Sequence, residues 1–263
     1  MKPTVFLGGG RITTALVAGL RLANYKTGIL VHDRHSQKMR NLKREFSVMA
    51  EPDLRQAVDS AGLLLIAVRP DSVRDLLQQI ETIKKRTIVV SLAAGIPLAR
   101  LSASLRAPVQ WARAMPSPAS RSGHGLTAVT FPRSLPMASR TQVKRFFAKV
   151  GSVLEIPESK FDAFTVTYSC SHGYHAVAAL AQAAQNIGLD RKTALTAAAH
   201  ALADGILSWR EGDIDLSDLF HEAATPGGVA ATTMAAMDRR GYLRSVEGGL
   251  RAGLARAKAN ARK

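Results

Sequence analysis

The chain has 263 residues, 46% of them hydrophobic, which is enough for two domains of ordinary size or one large one with a well-filled core. Its 36 Lys+Arg against 20 Asp+Glu leave a formal net charge of +16, so binding to nucleic acid or a membrane surface must be weighed. The basic residues are scattered and only 5% of residues are aromatic; no run approaches the ~20 apolar residues of a membrane helix, and a lone Cys170 excludes an intramolecular disulfide or a cysteine metal cage.

The expectation is a cytoplasmic enzyme, with no nucleic acid and no membrane as partner. The first strand begins at once, so no signal peptide is expected. No histidine–carboxylate cluster has metal spacing, so no metal site is expected either.

At the start, Val5-Phe6-Leu7 opens into Gly8-Gly9-Gly10. Ile12, Leu16 and Leu20 follow at the spacing of one helix face. That is a strand, a glycine turn and a helix. Gly8 suits a tight turn, and Gly10 lets a pyrophosphate approach the backbone. The new helix, opening with Arg11 and Ile12, aims free N–H groups and its positive dipole end at the phosphates. Thr13 replaces the third glycine of the fingerprint, which predicts a slightly wider helix–strand contact. Alone, this triplet also fits a tight turn that binds nothing.

Strand and helix signals alternate to about residue 155, the pattern of a parallel sheet with helices on both faces. Gly28–Asp33 reads as the second strand. An acidic residue there, such as Asp33, commonly binds the ribose hydroxyls of NAD. Arg34, Ser36 and Lys38 follow and suit a 2′-phosphate. The donors outnumber the carboxylate, so NADP is preferred and NAD is the alternative.

Ser47–Ala50 is a short third strand and Glu51–Ala61 carries a helix. Leu63–Val68 is an unbroken apolar strand, stopped by Arg69-Pro70. Ligands bind beyond the carboxyl ends of such strands, so Val68, Arg69 and Pro70 should flank a cofactor. Asp71 is read as the cap of a helix over Ser72–Ile80. Thr87–Leu92 is the fifth strand; Ala93, Ala94 and Gly95 after it leave room for a nicotinamide ring. Val109–Arg113 is a strand running into Met115 and Pro116, which should lie across the mouth of the sheet. A strand over Gly123–Thr130, a helix over Thr141–Lys149 and a strand over Gly151–Ile156 complete this half. Pro157 marks the expected boundary, with a dinucleotide-binding domain over 1–157 and a helical domain over 158–263.

Beyond Glu158 only helices are predicted. Ala176–Ile187 ends at Gly188, and Asp190 caps Arg191–Trp209. Thr225-Pro226-Gly227-Gly228 opens Val229–Arg239, which Gly241 ends, and a last helix starts at Tyr242. Its end, Arg251–Lys263, reads as a solvated tail. The alanine density suggests close helix packing, in a bundle shared between subunits. Cys170 is expected to be a buried thiol and His200 a packed or interface histidine.

Several of these runs coincide, in order, with the pyrroline-5-carboxylate reductase family, which the chain resembles over nearly its whole length. Gly8-Gly9-Gly10 is similar to the family's cofactor turn, and Ala67-Val68-Arg69-Pro70 to its Ala-Val-Lys-Pro segment. Ser91-Leu92-Ala93-Ala94-Gly95-Ile96 resembles its Ser-Ile-Ala-Ala-Gly-Val segment. Arg113-Ala114-Met115-Pro116 matches its Arg-x-Met-Pro, and Thr225-Pro226-Gly227-Gly228 resembles its Ser-Pro-Gly-Gly. The resemblance implies an α/β fold: a Rossmann doubly wound sheet, then an all-helical dimerisation domain, with the active site between them. It implies a homodimer or higher homo-oligomer. The implied activity is NAD(P)H-dependent reduction of a cyclic imino acid, pyrroline-5-carboxylate to proline or a related imine.

The departures bear on the substrate. The family's Asn-Thr after Met-Pro is lost at Ser117-Pro118. Its Ser-Gly-Ser-x-Pro-Ala-Tyr helix start reads here Tyr168-Ser169-Cys170-Ser171-His172-Gly173-Tyr174. By the resemblance, Ser171, His172 and Tyr174 are the candidates for protonating or binding the imine nitrogen. The family's Pro-Gly-Gly-Thr-Thr becomes Pro226-Gly227-Gly228-Val229-Ala230, without the threonines that help hold the substrate carboxylate. Gly227, Gly228, Val229 and Ala230 still offer helix-start N–H groups to a carboxylate, and Thr225 adds a hydroxyl. Two alternatives stay open: a reductase of another carbonyl or imine compound, and an NAD(P)-binding paralogue without turnover.

Overall fold

The computed structural model describes residues 2–105 and 108–261. In chain order the first part runs β1 (Thr4–Leu7), α1 (Arg11–Leu22), β2 (Ile29–His32), α2 (Ser36–Phe46), β3 (Met49–Ala50), α3 (Leu54–Ser60) and β4 (Leu63–Ile66). It continues α4 (Val73–Ile80), β5 (Thr87–Ser91), α5 (Leu98–Ser104), β6 (Val109–Met115), β7 (Gly125–Thr130), α6 (Met137–Phe147), β8 (Gly151–Glu155) and α7 (Glu158–Thr167). Then come α8 (Cys170–Asn186), α9 (Arg191–Glu211), α10 (Leu216–Ala223), α11 (Val229–Arg239) and α12 (Tyr242–Asn260).

The strands form one eight-stranded sheet in the order β3-β2-β1-β4-β5-β6-β7-β8. β1 lies between β2 and β4 in parallel register, with Leu7 opposite both His32 and Ile66. Parallel pairing continues through β5 to β6, where Ser91 stands opposite Arg113. β7 reverses, pairing antiparallel with β6, and β8 runs parallel to β7. The alternation in the sequence predicts parallel pairing throughout. Only a 3-10 turn over Pro118–Ser122 separates β6 from β7, and a parallel neighbour needs a crossover of a dozen residues or more.

Side chains alternate between the two faces of the sheet. Phe6, Leu65 and Val90 pack with Leu16, Leu20, Phe146 and Phe147 on one side. Val5, Leu64 and Val89 pack with Val58, Leu77 and Leu101 on the other. Helices cover both faces, so β4, and β1 from Val5 onward, read as unbroken apolar runs. Burying each such side chain contributes roughly 1.5–3 kcal/mol.

The contacts divide the chain into two compact units, one of residues up to Tyr168 with those from Ala252 onward, the other of Ser169–Arg251. Within the first unit the end of α12 meets the loop after β5. Ala257 is buried, and its carbonyl occupies the place a side chain on Gly95 would take. Asn260 Nδ2 donates to the Ala94 carbonyl at 3.3 Å, and the Arg100 guanidinium donates to the Ala261 carbonyl. The expected solvated tail is therefore packed on one side. Its alternation of Ala and Arg hid this, because the contact needs only an alanine facing a glycine. Arg262 and Lys263 lie outside the described residues.

In the second unit α8 and α9 meet through Ala181, Ala194 and Ala198. Asp190 caps α9 as expected, its carboxylate accepting the Lys192 and Thr193 N–H groups at 2.9 and 3.1 Å. Bonds from Thr193 and Lys192 hold its carboxyl below the ordinary range. Large apolar side chains stay exposed on this unit, among them Ile206, Leu207, Phe220, Val229 and Leu243.

Candidate functional site

β1, β2, β4, β5 and β6 all end on one edge of the sheet, and the strand order reverses between β1 and β4. Ligands of doubly wound sheets bind at such a switch point. The glycine turn stands there. Gly8 has φ +111°, and a side-chain carbon on it would lie 2.7 Å from the Ala67 carbonyl oxygen of the neighbouring strand end. Gly10 differs: its backbone is extended at φ −82°, and a side-chain carbon there would meet nothing within 4 Å. The start of α1 thus presents N–H groups to open space, with Arg11 exposed and Ile12 half-buried beside it. This cradle fits a dinucleotide pyrophosphate.

Thr13 is fully buried and its hydroxyl donates to the Gly8 carbonyl at 2.5 Å. That hydrogen bond ties helix to turn. Farther along α1, the missing side chain of Gly19 admits the Ser120 carbonyl of the 3-10 turn before β7.

Asp33 directly follows β2, beside this turn. Its Oδ2 accepts the Gly9 N–H at 2.8 Å and lies 3.3 Å from Lys38 Nζ; its Oδ1 accepts the His35 N–H at 2.8 Å. Burial is the largest single influence on this carboxyl and raises its pKa. The bonds from Gly9, His35 and Lys38 together outweigh burial and hold the pKa below the ordinary value. The sequence leaves Asp33 open to a ribose; here both oxygens are occupied by the protein. Arg34 is exposed, and exposed Ser36 Oγ accepts from Arg40 Nη1 at 3.0 Å.

The other strand ends complete the edge. Val68 is half-buried, and exposed Arg69 lies 3.6 Å from Asp71. Pro70 opens a 3-10 turn before α4. Ser72, rather than Asp71, stands at the start of α4, and Asp71 accepts its hydroxyl at 3.0 Å instead of capping the helix. Ala93 is buried and Ala94 half-buried, and the end of α12 contacts Ala94 and Gly95.

Half-buried Met115 and buried Pro116 are anchored from both sides by residues whose part the sequence did not reveal. Arg113, 1% exposed, lies 3.2 Å from Glu158 and 2.8 Å from Asp162, with Phe161 stacked 4.4 Å from its guanidinium. Past Pro116, buried Ser117 accepts the Tyr168 hydroxyl at 2.9 Å, and that hydroxyl accepts the Leu126 N–H. An arginine inside an apolar strand was the available signal for the first anchor. Tyr168, 51 residues from Ser117, carries none.

The substrate-side candidates lie in the second unit. Ser171, His172 and Tyr174 are exposed in the first turns of α8, with Ser171 Oγ 2.7 Å from Ser169 Oγ. Cys170 is half-buried rather than fully buried, and His200 is exposed, 3.2 Å from Asp204, rather than packed. The Thr225–Gly228 turn is closed by the Gly228 N–H on the Thr225 carbonyl at 2.9 Å, with Gly227 at φ +77°. Val229 and Ala230 are exposed at the start of α11. The hydroxyls of Thr232 and Thr233 are engaged by the Gly228 and Val229 carbonyls. Among the described residues no group of His, Cys, Asp or Glu gathers to hold a metal ion, and no helix is long and apolar enough to cross a membrane.

Two family models match the chain, one on each side of residue 157. Residues 4–95 match the family model described as NADP oxidoreductase coenzyme F420-dependent. Residues 158–260 match the one described as pyrroline-5-carboxylate reductase dimerisation. A pyrroline-5-carboxylate reductase of Corynebacterium melassecola is 31% identical over 248 residues, covering 92% of each chain. The chain belongs to the pyrroline-5-carboxylate reductase family. Two solved reductases of the family share the fold. The Streptococcus pyogenes protein has a TM-score of 0.88 at 19% identity over 98% of both chains. The Plasmodium falciparum protein, solved with NADP bound, has a TM-score of 0.86 at 18% identity, again over 98% of both. The resemblance read from the glycine turn, Ser91–Ile96 and Thr225–Gly228 is thereby borne out at the level of family and fold.

Proposed function

We propose that this chain is an NADPH-dependent oxidoreductase that reduces the C=N bond of pyrroline-5-carboxylate, giving proline. The observation that carries the reading is the open space over Gly10 at the β1–β4 switch point, in a chain of this family. Gly8, Gly10, Arg11 and Ile12 would hold the pyrophosphate. Arg34, Ser36 and Lys38 would hold the 2′-phosphate, with Asp33 behind them. Val68, Arg69, Pro70, Ala93, Ala94, Met115 and Pro116 would line the nicotinamide end. When bound, the reduced nicotinamide supplies the hydride for the imine carbon.

The chain's own groups orient, exclude water and supply a proton. Good orientation alone lowers a barrier by ~7–11 kcal/mol. Packing of α12 on Ala94 and Gly95, and the anchors on Arg113 and Ser117, keep that surface rigid. Ser171, His172 and Tyr174 are the groups proposed to bind or protonate the imine nitrogen. The N–H groups of Gly227, Val229 and Ala230, with the Thr225 hydroxyl, are proposed to hold the substrate carboxylate, while Gly228, whose own N–H closes the turn on the Thr225 carbonyl, shapes the approach to them. Residues 158–263 are taken as the dimerisation and substrate half. The family model over 158–260 and the exposed Leu207, Phe220 and Leu243 support homo-oligomerisation, read here as a homodimer or larger. A cytoplasmic setting accords with a single free cysteine.

Mixing the protein with NADPH and pyrroline-5-carboxylate should remove the reduced-nicotinamide absorbance and form proline in equal amount. No loss of absorbance at saturating imine would overturn the reading. One observation favours a second reading. Val229 and Ala230 present no hydroxyl at the start of α11, so another cyclic or open imine is the competing substrate. A panel of imines and keto acids separates the two by kcat/KM.

A further inference from the structure

We propose that Asp33 is a positioning residue for the glycine turn, and that Lys38, by cancelling its charge, determines acceptance of a 2′-phosphate; this rests on the cofactor reading above. An acid at the end of β2 ordinarily marks a site for ribose hydroxyls and repels a phosphate. Asp33 is only 8% exposed, and its two oxygens already accept the Gly9 and His35 N–H groups. It therefore fastens the middle of the cofactor turn to the β2–α2 corner. Lys38 Nζ lies 3.3 Å from the same Oδ2, one turn into α2, while the Lys38 side chain is 46% exposed.

The charges around the corner favour an anion. Asp33 is matched by Lys38, which leaves Arg34 and Arg40 as exposed cations on the same corner. Arg40 lies along α2 with its guanidinium on Ser36 Oγ at 3.0 Å. A 2′-phosphate brings up to two negative charges and accepts strong hydrogen bonds. It would meet this surplus rather than a bare carboxylate. Without Lys38, the Asp33 charge would face the phosphate uncompensated in a partly buried site, where screening is weak.

The test is direct binding of NADPH and NADH to the full chain, by fluorescence or calorimetry, without turnover. Lys38→Met should weaken NADPH at least about tenfold while changing NADH less than about threefold. Lys38→Arg should restore NADPH affinity. Asp33→Asn keeps the shape but turns one acceptor into a donor, so either Gly9 or His35 loses its partner. NADPH and NADH affinities should then both fall below wild type, NADPH by less than NADH because the Lys38 charge is left for the phosphate. An Asp33→Asn protein that binds NADPH as tightly as wild type or tighter while NADH weakens would return the carboxylate to the ribose and overturn the proposal. A Lys38→Met protein with an unchanged ratio would overturn it as well. Wild-type protein that binds neither nucleotide would end both this proposal and the cofactor reading. Binding with no imine reduced would end the reductase reading alone.

Discussion

Replacing Gly10 by valine separates cofactor binding from folding. The position is extended, at φ −82° and ψ −175°, a region that a β-branched residue adopts without strain. A side-chain carbon there meets nothing within 4 Å, so no neighbour has to move. Gly10 is the residue before the first turn of α1, where a glycine is a better cap than an apolar residue by up to ~1 kcal/mol. The reduced freedom of the unfolded chain offsets ~0.4–1 kcal/mol of that loss. The melting temperature should therefore stay within about 4 °C of wild type. The new methyl groups would stand where a pyrophosphate must approach the backbone and cap the helix start. NADPH affinity should fall at least about a hundredfold, or ~2.8 kcal/mol. Calorimetric titration with NADPH, beside a thermal melt, measures both quantities. A Gly10→Val protein that binds NADPH within about threefold of wild type would refute the assignment of this turn to the cofactor.

Gly8→Ala should do the reverse at the level of folding. Positive φ strain of roughly 1–3 kcal/mol, plus contact with the Ala67 carbonyl, should lower the melting temperature well below that of Gly10→Val. Gly95→Ala would push against the Ala257 carbonyl, so hydrogen exchange over residues 252–261 should quicken. Gly228→Ala would place a methyl group 2.8 Å from Thr225 Oγ1; it should raise KM for the imine in steady-state kinetics and leave the Kd for NADPH unchanged. The lowered pKa of Asp33 makes a contribution to stability that is present above the unfolded value, 3.8, and is lost as pH falls through the folded one. Melts taken across acid pH should accordingly fall less steeply for Asp33→Asn than for wild type.

The local half of this architecture was readable from periodicity. Apolar runs such as Leu63–Ile66 and the helix over Val229–Arg239 lie where pattern and turn residues put them. What escaped was set by distant partners or by shortness. α5 has only 7 residues and follows Pro97, too little for a helical period to register. The reversal at β7 depends on connection length. Asp33 was recognised as an acid in the right place, but its engagement by Gly9 is a pairing across 24 residues that no local pattern encodes. Arg113 was read as part of a motif, and its half-buried partners Glu158 and Asp162 come from beyond β8. The family resemblance located the loops correctly, whereas the hydrogen bonds within them are visible only in three dimensions.

The sheet-bearing unit is discontinuous in sequence, because residues 169–251 intervene between its two pieces. During synthesis β1 to β8 are complete long before residues 252–261 exist. Until then the loop around Ala94 and Gly95 lacks the backbone that later presses on it. Closing that contact spans 166 residues between Asn260 and Ala94, a late and slow event by the logic of loop entropy. Full rigidity on the side of the cradle proposed for the nicotinamide would thus arrive last, so a ribosome-bound chain halted at residue 251 should retain pyrophosphate affinity while its β5 loop remains pliable.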